Sequence, residues 1–162
     1  MSELSFISPG AVRVEDGYEP RASSPLQRAL AGSAGIGDLS PLGKLEVRRA
    51  DVGALPTDVD VIRITPTRAL VICPPERCAE VRGSLPGVVV DLSGALAGIE
   101  VQGVKLMRRL TDLDLAALPS AGKVAGVQAV VTRSGDSFRI FFAQEYGDSV
   151  VEFVRDVQDG LA

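Results

Sequence analysis

The chain reads as an α+β protein: an antiparallel sheet with helices on one face. Three observations predict this. Phe138, Ile140 and Phe142 alternate with Arg139 and Phe141, the period of two expected of a half-buried strand. The turn Ser134-Gly135-Asp136 precedes that strand, and Val150, Phe153, Val154 and Val157 follow it at i, i+3, i+4 and i+7, the spacing of a helix face. The order strand, turn, strand, helix occurs at residues 59–85 and again at 124–159. Hairpins followed by helices build antiparallel sheets covered on one side. The repeat is equally compatible with the general habit of compact α+β domains.

In chain order, residues 1–23 form a flexible N-terminal arm, polar and punctuated by Pro9-Gly10, Gly17 and Pro20. Residues 24–162 form one α+β domain. Ser24 suits a helix cap and Pro25 the first position of a short helix through Leu30. Gly32, Gly35, Gly37, Pro41 and Gly43 make the next stretch a loop. Leu45 and Val47, alternating with Glu46 and Arg48, begin a strand. Strands follow at Val59–Ile64 and Ala69–Ile72, then a helix from Pro75 through Leu85 and a buried-strand run at Val88–Val90. Ile99 and Val101 alternate with Glu100 and Gln102 in another strand, and Val104–Leu110 is a short helix. Val124–Arg133 is strand-like, and Gly160 closes the last helix.

Composition narrows the function. The 162 residues fit one domain, and with 46% hydrophobic residues the chain is globular. Aromatics are only 4% and Trp is absent, so the core is built mainly of Val, Leu, Ile and Ala. A net charge of −4 argues against nucleic-acid or anionic-membrane partners, which need clustered Lys and Arg. With no basic segment leading an apolar run, and no run near the ~18 residues of a membrane span, the expected location is the cytoplasm. His is absent altogether, which removes the usual general acid–base and transition-metal side chain.

Motif by motif, little chemistry appears. Gly32-Ser33-Ala34-Gly35-Ile36-Gly37 has the wrong spacing for a dinucleotide loop, and Gly43-Lys44 completes no Walker A motif. Cys73 and Cys78 lack the further ligands of a zinc site. The pairs Asp58/Asp60 and Asp112/Asp114 read as solvated turn acids, so no metal is expected. Asp91-Leu92-Ser93-Gly94, at a strand end, lines a site or forms an Asx turn. Phe141 points away from the helix-facing residues of its strand. Such a ring anchors a partner, or the N-terminal arm covers it.

An ordered series of short motifs resembles a known family. It runs from Ser24-Pro25-Leu26 through Ala69-Leu70-Val71-Ile72-Cys73-Pro74, Val89-Val90-Asp91-Leu92-Ser93 and Ile99-Glu100-Val101-Gln102-Gly103. Asp114-Leu115, Leu118-Pro119, Gly122-Lys123-Val124 and the segment from Val131 to Ile140 complete it, covering roughly residues 24–160. The series resembles the gamma subunit of heterotetrameric sarcosine oxidase. That subunit in turn resembles the folate-binding first domain of the glycine-cleavage T-protein, an aminomethyltransferase. Two departures matter. Val104-Lys105-Leu106 follows Gly103, and Gln128 and Ala129 stand where the aminomethyltransferases carry an acid.

The resemblance implies a non-catalytic, structural or assembly subunit of a complex that oxidatively demethylates sarcosine and passes the one-carbon unit to tetrahydrofolate. Flavin, NAD and tetrahydrofolate would then reside in larger flavoprotein partner subunits, with no cofactor in this chain. Ser24, Pro25, Leu26 and Phe141 are the candidate partner contacts, and no catalytic residue is assigned. The alternative is a free-standing folate or small-molecule binding module, with Asp91, Ser93, Glu100 and Arg133 as candidates because they lie at strand ends.

Overall fold

The computed structural model describes residues 23–51, 55 and 58–161; the expected arm, residues 1–23, lies outside them except for Ser23. Among the described residues, nine strands form two antiparallel sheets. The first sheet has the order β1 (Ile36–Asp38), β6 (Leu96–Gln102), β9 (Ser137–Ala143), β8 (Val127–Ser134), β7 (Ser120–Val124). The second has the order β3 (Asp60–Thr65), β4 (Arg68–Cys73), β2 (Gly43–Arg48), β5 (Val88–Asp91). Helix α1 (Cys78–Ser84) belongs to the second sheet, and α2 (Val104–Leu110) and α3 (Gly147–Asp159) to the first.

Each sheet therefore carries helices on one face, as the pattern predicts, but there are two sheets and their bare faces meet. On the outer side of the second sheet, Leu45, Val47, Ala69 and Val71 pack against Val81 and Leu85 around α1. On the outer side of the first, Ile99, Val101, Phe138, Ile140 and Phe142 pack against Leu106, Met107, Leu110, Val150, Val151 and Val154. Between the sheets lies a third core of Ile62, Leu70, Ile72 and Phe141, flanked by Leu39, Leu42, Ile64, Leu96 and Val130. The layer order is helix, sheet, sheet, helix.

The repeated unit is present. Hairpin β3–β4 leads through a 3-10 turn (Pro75–Arg77) into α1, and hairpin β8–β9 leads through another (Gln144–Tyr146) into α3.

Several local expectations change. Ser24 does accept a hydrogen bond from the Leu26 N–H at 3.1 Å, but residues 25–32 are a run of turns, not a helix. The glycine-rich loop contains β1, which pairs with β6 from Ile36–Val101 to Asp38–Ile99. Val124–Arg133 is not one strand: Ala125 (φ 50°) and Gly126 (φ 80°) turn the chain between β7 and β8. Two positive-φ residues are the signature of a tight hairpin turn, and Ala gives no warning of it in sequence. Val88–Val90 forms an edge strand that pairs, among the described residues, with β2 alone, and Val88 is 47% exposed. In α3 the buried residues are Gly147, Val150, Val151 and Val154, whereas Phe153 is 44% exposed; the apolar face is rotated from the expected one.

Candidate functional site

Residues directly opposite in an antiparallel pair share a face. Leu45 and Val47 of β2 face α1, so Lys44, Glu46 and Arg48 face the other sheet. Lys44 and Glu46 are 0% and 1% exposed, two charged groups inside the protein.

Glu46 is held by two arginines, one on its own strand and one on β4. Arg48 Nε donates to Oε2 at 2.8 Å, and Arg68 Nε donates to Oε1. Burial alone would raise the Glu46 pKa, but these hydrogen bonds and the two positive charges outweigh it and hold the carboxyl below its ordinary value. Glu46 is therefore an anion with a guanidinium hydrogen-bonded to each oxygen. Lys44 Nζ donates to the carbonyls of Ser40 and Leu42, each at 2.7 Å. Burial lowers its pKa, opposed by the charges of Asp38, Asp91 and Cys78. Ser40, also buried, accepts from the Gly98 N–H at 3.2 Å and ties the loop after β1 to β6.

Beside Glu46 the two sheets part to leave a cleft of about 320 Å³. Its walls are Ile64, Leu70, Leu96, Phe141 and Phe142, with Arg68, Gln128 and Ala129 contributing to the lining. The positions where the resemblance expects an acid thus do line a cavity. The carboxylate there comes instead from β2, across the gap.

The residues expected to bind a ligand do not converge. Asp91 accepts from the Ser93 N–H at 2.9 Å in an Asx turn, and Ser93 Oγ accepts from the Lys44 N–H at 3.0 Å. Asp91's pKa is lowered chiefly by the Ser93 hydrogen bonds. Glu100 accepts from Ser137 Oγ at 2.6 Å and lies 3.6 Å from Arg139, which bridges to Asp60 of the other sheet at 2.8 Å. Arg133 donates to the carbonyls of Gly135 and Leu115 and lies over the Phe138 ring at 5.2 Å. Arg133 and Arg139 line a second, more polar groove with Asp60 and Arg63. Among the described residues no hydrogen bond or ion pair links Asp91 or Ser93 to Glu100 or Arg133.

The candidate partner contacts divide. Ser24 and Pro25 are at the surface, but Leu26 is fully buried in the core with α3. Phe141 is 1% exposed and packed against Ile62, Leu70 and Ile72, so the chain's own second sheet covers it. Neither a partner nor the arm is needed to shield that ring.

Cys73 and Cys78 are free and converge over Gly43, where a Cβ would stand 2.8 Å and 3.0 Å from the two sulfurs. Burial and the neighbouring Cys78 push the Cys73 thiol up to about 11, so it is not a thiolate at neutral pH. Among the described residues no group of three or more His, Cys, Asp or Glu is arranged to hold a metal, and no helix is long and apolar enough to cross a membrane.

No protein-family model and no curated protein matches the chain. Solved structures do. A chain of the heterotetrameric sarcosine oxidase from Corynebacterium sp. U-96, in complex with pyrrole 2-carboxylate, superposes with a TM-score of 0.69 at 16% identity, covering 86% of this chain and 95% of that one. The ligand-free regulatory subunit of aspartate kinase from Thermus thermophilus matches with a TM-score of 0.51 at 12% identity, covering 76% of this chain and 97% of that one. At such identities the shared property is the fold.

Proposed function

We propose that the chain is a non-catalytic subunit of a hetero-oligomeric oxidase, in the role of the gamma chain of heterotetrameric sarcosine oxidase. The observation that carries this reading is the extent of the likeness: 95% of the sarcosine oxidase chain is covered by this fold. The state of Glu46 agrees with it. A carboxylate with two guanidinium partners and a lowered pKa is suited to tying β2 to β4, not to exchanging protons at neutral pH.

On this reading flavin, NAD and tetrahydrofolate sit in larger flavoprotein chains that act on sarcosine or a related N-methyl amine. Exposed Pro25 and half-buried Ser24 remain available as partner contacts; Leu26 and Phe141 serve the fold instead. The test is co-expression with the large flavoprotein chains of a heterotetrameric sarcosine oxidase. Stable co-purification, with the lone chain colourless and inactive, is the expected result. Flavin absorbance in the lone chain, or turnover of a methylated amine that a point change abolishes, refutes the proposal.

A free-standing binding module is the second reading, and the inter-sheet cleft is the observation that favours it. Calorimetry of the isolated chain with tetrahydrofolate separates the two readings: micromolar binding supports the module, and silence supports the subunit.

A further inference from the structure

We propose that the cleft between the two sheets binds an apolar monocarboxylate, its carboxylate received by Arg68 and its hydrocarbon body lying against Leu70, Leu96 and Phe141. This does not rest on assembly with other chains.

The volume, about 320 Å³, is at the small end of small-molecule sites, which span roughly 300–1,000 Å³. The walls are mostly apolar side chains, which fixes the character of the ligand body. Charge fixes the head group. Two guanidinium groups flank a single carboxylate, leaving one net positive charge. Glu46 already has a guanidinium on each oxygen, so the cluster repels rather than attracts a cationic head group. Arg68 spends only its Nε on Glu46. Among the described residues its terminal nitrogens have no other hydrogen bond or ion pair, and its side chain is 49% exposed. A guanidinium pinned along one edge presents its remaining N–H fork to a planar carboxylate. A single spare guanidinium matches a monoanion better than a phosphate dianion.

The probe is octanoate, with octanol and octylamine as controls of equal chain length, titrated into the full chain and read by calorimetry and by amide NMR shifts. Octanoate should bind with a dissociation constant on the order of 0.1 mM, shift amides lining the cleft, and outcompete both controls at least tenfold. R68Q should lower octanoate affinity roughly 10-fold or more, the expected loss of a charge-assisted hydrogen bond. A121F, on exposed Ala121 of β7, fills the cleft without touching a charge and should lower affinity by a similar factor. No octanoate binding at 10 mM, equal binding of octanol, or shifts confined to another surface overturns the proposal. If R68Q is unfolded by circular dichroism, A121F decides, and unchanged affinity in that variant overturns it.

Discussion

Replacing Phe141 by Ala tests the layer on which the whole arrangement depends. The ring is 1% exposed and is the only aromatic in the core between the sheets among the described residues. Burying a Phe removes at least ~150 Å² from water, worth about 4 kcal/mol at ~25 cal/mol per Å². Ala keeps the Cβ, and the adjoining cleft gives the neighbours and water somewhere to move. The expected loss is therefore near the low end of the range for buried Phe→Ala, about 3 kcal/mol.

Gly98 sharpens the test. It pairs with Phe141 across β6 and β9, and a Cβ there would stand 2.8 Å from Phe141 Cδ1 and 3.0 Å from Leu39 Cβ. In the wild-type background G98A should cost roughly 1–3 kcal/mol by overpacking. In the F141A background the ring clash is gone, so the two substitutions should couple favourably by about 1 kcal/mol or more. Urea unfolding of the full chain, with linear extrapolation for all four proteins, measures both quantities. A loss below about 1 kcal/mol for F141A, or additive effects of the two substitutions, would refute the packing described. So would an F141A protein of unchanged stability that only binds a partner less well.

The charged groups and the thiols supply further tests. E46Q removes the anion between Arg48 and Arg68 and should destabilise the protein by about 1–3 kcal/mol in chemical unfolding, below the usual figure for a buried pair because both arginines are half-exposed. Because the folded-state pKa of Glu46 is lowered, its contribution should be full above the ordinary carboxylate range and fade as pH falls through the folded-state value; an acid limb steeper in wild type than in E46Q supports this, and limbs of equal slope contradict it. Lys44 behaves in the opposite sense, since a buried ammonium is a burden in the folded state. K44M should be at least as stable as wild type at neutral pH, the gap closing as pH rises toward 10.5, and a wild type clearly more stable at pH 7 overturns that account. With Cys73 pushed up to about 11 and 2% exposed, the C78S protein should react with a thiol reagent at pH 7 at least tenfold more slowly than C73S; equal rates would show Cys73 to be open.

Much of the secondary structure was legible because its signals are short-range. The Val104–Leu110 helix, the β3–β4 and β8–β9 hairpins and the helix after Pro75 all lie where residue spacing puts them. The failures have physical causes. Strand β1 is three residues in a glycine-rich stretch, and it is a strand only because β6 offers it an edge. The β7–β8 turn uses Ala at its first position, where a sequence reader looks for Asn, Asp or Gly. Val88–Val90 has the composition of a buried strand, but nothing pairs with its second edge among the described residues.

The candidate site was the least legible part. Glu46 and Lys44 alternate with Leu45 and Val47, a pattern that reads as polar residues facing water. The same alternation describes a strand whose second face is buried under another sheet. A clue was present in Phe141, whose ring faces the same side as the cleft and needed cover. The expectation placed that cover outside the domain; the second sheet supplies it.

Residue order and periodicity were enough to place most of the strands and helices, the β3–β4 and β8–β9 hairpins and α2 among them, and the side of β9 that meets the helices, since these depend on neighbours a few positions away. Whether a charged side chain sits in water or in the interior, and whether strand ends far apart in the chain make one site, was settled only when the two sheets came face to face. Burial is a property of what arrives from elsewhere in the chain, and no local pattern encodes that arrival.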